Sequence, residues 1–173
     1  GDAWMGGTVF VVGKVTGYDK NTSMFITDVR GVNVYKGRVV SNKSLGELLW
    51  CDSEAKGIRT FISMVDENDG QVNLEKLLMF IDSKGESLEN YPAFNALEKG
   101  WYLPAINEIS SIVTNKEKLN ENIREQQGDV IGDGVYVSST ERGKDNPTDI
   151  RYAGGQGYNS KAVKYNIREV RAY

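Results

Sequence analysis

The chain has 173 residues, 39% of them hydrophobic and 26% charged, with 21 Lys and Arg against 24 Asp and Glu for a formal charge of −3. That length suits one domain with a real core, and the slightly acidic balance gives no support to nucleic-acid binding, which needs a basic face. There is no histidine and a single cysteine, so an intrachain disulfide is ruled out, the usual general base is missing, and carboxylates, Lys or Tyr would have to carry any catalysis.

Residues 4 to 65 read mainly as strands. Thr8–Val12, Met24–Thr27, Val32–Tyr35 and Thr60–Met64 are short β-rich runs separated by Gly, Asn and Asp clusters. Cys51 follows Leu48-Leu49-Trp50 and reads as a packed core thiol. No apolar run approaches the ~20 residues of a membrane-spanning helix. No signal peptide is visible in the opening Gly1-Asp2-Ala3-Trp4, a start that is also expected where a leader has been cut away.

From about 71 to 127 the period changes to that of helices. Leu74, Leu77, Leu78 and Ile81 share one helical face, with Asn73 as the expected N-cap. Ala93, Phe94, Ala96 and Leu97 predict a second, short helix stopped by Gly100. Pro104 opens a third, whose stripe is Ile106, Ile109 and Val113. Thr114 to Glu117 has capping-box spacing and predicts a fourth helix with Leu119 and Ile123, ending near Gly128.

From 129 onward the pattern returns to strands, at Val135–Ser138, at the alternating Val163, Tyr165 and Ile167, and at Glu169–Tyr173. Arg142 to Lys161 reads as a loop between them. Strands, helices, then strands is the order of an α+β fold and not of a parallel βαβ sheet.

Most chemistry-bearing motifs are better read as structure. Asp66 to Gly70 looks like the start of a calcium loop, but an EF-hand needs a Glu at position 12, where Leu77 stands. Asp129 and Asp133 read as a surface turn. The Gly154, Gly155, Gly157 cluster precedes a strand-like run, so it is not a phosphate cradle. Glu108 and Glu141 read as cap or turn residues sooner than as a catalytic pair. Asn21-Thr22-Ser23 and Asn42-Lys43-Ser44 fit the glycosylation pattern. Tyr152, Tyr158 and Tyr165 lie among Asn146, Asp149, Gln156, Asn159 and Lys161, and large rigid faces mixed with directed hydrogen bonds are the chemistry of recognition surfaces.

The order of several blocks carries a resemblance. Gly6-Gly7-Thr8-Val9-Phe10 opens the domain; Gly100-Trp101-Tyr102-Leu103-Pro104 runs on to Asn107-Glu108-Ile109; Val137-Ser138-Ser139-Thr140-Glu141 follows; and Val170-Arg171-Ala172-Tyr173 closes it. In this the chain resembles the family named for the C-terminal domain of the Legionella collagen-like adhesin. Val137 stands where that family has Trp, the terminal block is shortened, and Tyr18 to Met64 does not align closely.

The resemblance implies a single C-type-lectin-like α+β domain over 4–173, with antiparallel strands at both ends and a helical middle. It implies a bacterial, extracellular or cell-surface module without catalysis, cofactor or metal, whose partner is a glycan or a surface protein. Trp101, Leu103, Pro104, Ser138, Ser139, Thr140 and Glu141 are then expected as scaffold. Asp145, Asn146, Tyr152, Gln156, Tyr158, Asn159 and Lys161 are expected in the ligand site. The alternative is a structural module of a surface or phage-tail-like assembly that acts through protein contacts.

Overall fold

The computed structural model of the chain describes residues 3–4, 6–155 and 157–173. The chain enters through β1 (Ala3–Trp4) and β2 (Gly7–Val12), makes a hairpin of β3 (Lys14–Asp19) and β4 (Met24–Asp28), and returns along β5 (Gly37–Ser41) and the short β6 (Glu47–Leu49). Among the described residues four α-helices follow: α1 (Gly70–Lys84), α2 (Pro92–Asn95), α3 (Ile106–Thr114) and α4 (Lys116–Glu125). Strands β7 (Tyr136–Glu141), β8 (Asp149–Ala153), β9 (Gly157–Ser160), β10 (Lys164–Asn166) and β11 (Val170–Ala172) complete the chain.

The order is that of a mixed α+β fold. One sheet runs β1-β2-β5-β11, a second β6-β10-β7-β8-β9, and β3-β4 stand as a separate pair. The ladders are antiparallel except where Asn166 of β10 meets Tyr136 of β7 in parallel. Helix α3 packs on β7 and β8, α1 on β7, and α4 on β2.

Two apolar clusters fill the space between sheets and helices. One gathers Trp50, Leu77, Ile81, Tyr91, Phe94 and Ile167; the other gathers Val40, Ile109, Ile112, Ile123 and Val170. Leu74 packs against both. Trp50 is fully buried, meets Phe94 edge-on at 5.0 Å between ring centroids, and donates its indole N–H to the Ser138 carbonyl at 3.1 Å. An indole held this way contributes both area and a satisfied donor.

Several local expectations are corrected. Val32–Tyr35 is part of a 3₁₀ turn, Gly31–Tyr35, with no buried residue; a strand needs a face to bury, and this segment has none. Thr60–Met64 joins no ladder. Instead the Ile62 and Met64 N–H groups donate to the Glu141 carboxylate at 2.8–3.1 Å. Helix α1 is capped by Asp69, whose carboxylate accepts from Gln71 N at 2.9 Å, and not by Asn73. Asn73 is buried in the first turns, bonded to Asp66 and Ser139. The cap residue of α4 is Asn115, without a side-chain cap bond, so the Thr114 capping box does not form. The expected 142–161 loop contains the β8–β9 hairpin.

Candidate functional site

The block residues anticipated as scaffold are all buried. Ser138 Oγ donates to the Arg151 carbonyl at 2.8 Å, and Ser139 Oγ donates to that of Pro104 at 3.2 Å. Thr140 Oγ1 donates to Asp66 O at 2.9 Å and accepts from Ile106 N at 3.0 Å. Trp101, Leu103 and Pro104 lead into α3, and Tyr102 bridges to β11 through paired backbone bonds with Val170.

Glu108 and Glu141 are each committed elsewhere. Glu108 accepts from Gly70 N, Ala105 N and the Tyr102 hydroxyl at 2.6–3.0 Å and pairs with Arg38 at 2.9 Å. Glu141 pairs with Lys161 at 2.7 Å, with both side chains 0% exposed. Carboxylates so fully occupied are not available as a catalytic pair. Lys161, expected in the ligand site, therefore belongs to the core. Its ammonium also donates to Gly57 O and Thr60 O at 3.0 and 3.1 Å. Burial pushes Lys161 down from the usual lysine range, with Glu141 opposing that shift. Burial likewise pushes the neighbouring Cys51 thiol up to about 12, which keeps it a protonated core group.

The other expected ligand residues separate by position. Asp145 is exposed and Asn146 half-buried in the turn before β8; Asn159 is exposed on β9, where its carboxamide oxygen accepts from Ser160 N at 2.7 Å. Gln156 lies outside the described residues. Tyr152 and Tyr158 come together on the hairpin. The hairpin forms because Gly154 and Gly155 both take φ of +90° after β8, a conformation that favours glycine. Its register sets Arg151 opposite Tyr158 and Tyr152 opposite Gly157. Arg142 lies over the Tyr158 ring at 4.2 Å and pairs with Asp149 at 3.1 Å.

Two cavities of about 170 Å³ each adjoin this hairpin. Arg151, Tyr152, Gly157 and Tyr158 line one; Tyr18, Lys20, Ser23, Asn107 and Arg151 are among the residues lining the other. Ile106 and Arg151 belong to both, so the guanidinium stands between them. It pairs with Glu67 at 2.6 Å. Of the residues that line these cavities, sequence reasoning named Tyr152 and Tyr158 and did not name Arg151, Tyr18, Lys20 or Asn107. No spacing rule joins β3, α3 and β8, and only the packing of three elements brings them together.

The metal and modification expectations can be placed too. Asp133 pairs with Lys116, and Asp129 accepts from Ser44 N at 3.0 Å. Among the described residues no group of three His, Cys, Asp or Glu side chains is placed to hold a metal ion. Asn42 is buried and its carboxamide oxygen takes the Thr8 hydroxyl at 2.6 Å, which excludes a glycan there, while Asn21 is exposed. Among the described residues no helix is long and apolar enough to cross a membrane.

A second surface differs in kind. Met24, Ile26, Val29, Val32, Val34 and Tyr35 are all exposed, Val32 and Tyr35 by 76 and 77%. They follow one another along β4 and the 3₁₀ turn. Runs of exposed large apolar side chains are uncommon on isolated soluble domains and mark contact surfaces.

No protein-family model matches the chain, and no curated protein matches it. Its fold is similar to that of a fimbrial protein from Bacteroides ovatus seen in a crystal structure, with a TM-score of 0.68 and 18% sequence identity. The match covers 95% of this chain and 43% of that one, so this chain spans less than half of that protein's length.

Proposed function

We propose that the chain is a module of a bacterial surface fibre that assembles through protein–protein contacts and carries out no catalysis. The observation that carries this reading is the likeness in fold to a fimbrial protein over nearly the whole chain. The exposed apolar run from Met24 to Tyr35 fits it, because a subunit of an assembly needs a surface that a neighbouring subunit covers. The C-type-lectin-like assignment and membership of the adhesin-domain family belong to the same reading, supported by the order of the sequence blocks and by terminal strands that share one sheet.

Sedimentation velocity of the purified chain over a concentration series tests the assembly reading. The expected result is reversible self-association that Val32→Asp with Tyr35→Asp abolishes. A chain that stays monomeric to the limit of its solubility, or one whose association ignores both substitutions, overturns it.

A second reading, ligand binding at the β8–β9 hairpin, is favoured by one observation: Tyr152 and Tyr158 share a cavity with Arg151. Small-ligand sites combine such aromatic walls with a few placed polar groups. A glycan array would report it through specific hits that Tyr158→Ala removes.

A further inference from the structure

We propose that the paired cavities around Arg151 bind a carboxylated sugar residue, the carboxylate on the guanidinium and the ring against tyrosine. This narrows the ligand-binding reading above to a class of ligand and rests on it; fibre assembly does not enter.

Charge is the first argument. The chain as a whole is acidic, with a formal charge of −3. Yet the residues lining the two cavities include the cations Arg151 and Lys20 and, among the described residues, no carboxylate. Arg151 is ion-paired with Glu67, so the charge that favours an anion is that of Lys20 together with what Arg151 offers once that pair is opened or shared. The planar guanidinium suits a carboxylate, which it can meet with two parallel N–H bonds. Glu67 shows that a carboxylate can sit against this guanidinium: its Oε2 lies 2.6 Å from one nitrogen, a single contact that leaves other N–H donors of the fork for a ligand, and its side chain is 44% exposed. A carboxylated ligand would displace or share that bond.

Shape and lining are the second argument. The cavities share Arg151 as a common wall, and each holds about 170 Å³, below the ~300–1,000 Å³ of drug-sized ligand sites and on the scale of a single sugar ring. Tyr152 and Tyr158 stand on one side and Tyr18 on the other. Tyrosine faces receive the C–H surface of a sugar ring, and amides and hydroxyls receive its hydroxyls. Asn107 supplies an amide, its Nδ2 already donating to Asn68 Oδ1 at 2.8 Å, and Ser23 a hydroxyl. The lining draws on side chains of several elements around two half-open hollows, which suits a ring, whereas an extended acidic peptide would pair along the edge strand β9 beside them, the alternative that the dipeptide in the test reads.

The test is an NMR titration of the ¹⁵N-labelled chain with glucuronate, N-acetylneuraminate, glucose and an N-acetylated acidic dipeptide. The expected result is that a carboxylated sugar shifts the amides of Tyr18, Arg151, Tyr152 and Tyr158, with glucose at least roughly tenfold weaker. Arg151→Lys should weaken binding about tenfold, since it keeps the charge and removes the planar fork. Glu67→Gln should strengthen it severalfold by releasing the competing carboxylate, a gain that a merely structural role for the pair would not give. Spectra of both free variants must keep the dispersion of the parent. Glucose binding as tightly as glucuronate sinks the carboxylate proposal and leaves the ligand-binding reading standing; no shift with any sugar removes both. A dipeptide that binds at these residues as well as glucuronate makes the site a peptide site and overturns the proposal, as does Glu67→Gln without effect.

Discussion

Two regions of this molecule invert the usual placement of residues, in opposite directions. The scaffold formed by 101–108 and 138–141 takes polar groups out of water: Glu108, Ser138 and Ser139 are 0% exposed, as is Asn73 beside them. The stretch Met24–Tyr35 does the reverse and leaves large apolar side chains in solvent. Buried polar groups are tolerated only when every one is bonded, and the scaffold meets that condition with side chains that hold irregular backbone where no ladder runs. Thr60–Met64 is the clearest case, a segment outside the ladders held by the Glu141 carboxylate, the Lys161 ammonium and the Glu141 backbone N–H. Within Met24–Tyr35 Phe25 packs edge-on against Tyr18 and under Arg38, while Met24, Ile26, Val29, Val32, Val34 and Tyr35 stay exposed to solvent. One region serves the stability of the single chain; in the assembly reading proposed above, the other serves contact beyond it.

The contrast is broken most severely at Glu141. Glu141→Ala strands the buried Lys161 charge and two backbone donors, and should cost about 3–5 kcal/mol in urea unfolding. The double change Glu141→Leu with Lys161→Met should cost clearly less than the two single changes added together, because no charge is left unpaired. Next comes Gly70→Ala. A Cβ there would run into the Leu103 carbonyl, and the Gly70 N–H is bonded to Glu108 at 2.7 Å. Forcing the loop aside should cost about 1–3 kcal/mol in the same assay.

A smaller effect depends on pH. Burial holds the Glu169 carboxyl above the usual carboxylate range, opposed by the Glu98 N–H that it accepts at 3.0 Å. A raised folded value means that the folded state holds the proton more tightly. The stability from this group is then fully present below the unfolded value of about 4.3 and is lost as pH rises through the folded one. Glu169→Gln should therefore match the parent near pH 4 and exceed it at pH 7, read from urea midpoints. Smallest of all, Val32→Asp with Tyr35→Asp should leave the stability of the single chain within about 0.5 kcal/mol while removing its self-association. A large loss of stability would place those residues with the scaffold and erase the contrast.

How legible this was in the sequence follows from the same contrast. Periodic burial was readable: Leu77 and Ile81 of α1 and Leu119 and Ile123 of α4 lie in the core as their spacing predicts. Leu78, counted in the same stripe, is 44% exposed, so the face was right and its width too generous. The β8–β9 hairpin was legible in principle, since Ile150 and Tyr152 alternate before Gly154-Gly155, but glycine and asparagine content disguised it as a loop. Val32–Tyr35 failed for a different reason. Its β-branched residues score as strand, and whether a strand forms depends on a face to bury, which is a tertiary fact. Lys161 failed because its partner, Glu141, stands in a separate block. The Arg151 cleft needs β3, α3 and β8 at once, and local pattern carries no such information.

The sheet that holds both ends of the chain has a mechanical consequence. Thr8 faces Ala3 on one side and Val40 on the other, and Val40 faces Val170. From that level Ala3 and Ala172 both point toward the same end of the sheet, on edge strands three strand spacings apart, about 14 Å. A force that draws these ends apart opens the outer strands one hydrogen bond at a time, the weak direction of a sheet, instead of shearing many bonds together, and at β11 the paired Tyr102–Val170 bonds resist it as well. In a fibre of the kind proposed, tension would travel better through lateral contacts between subunits than along a line joining Ala3 and Ala172.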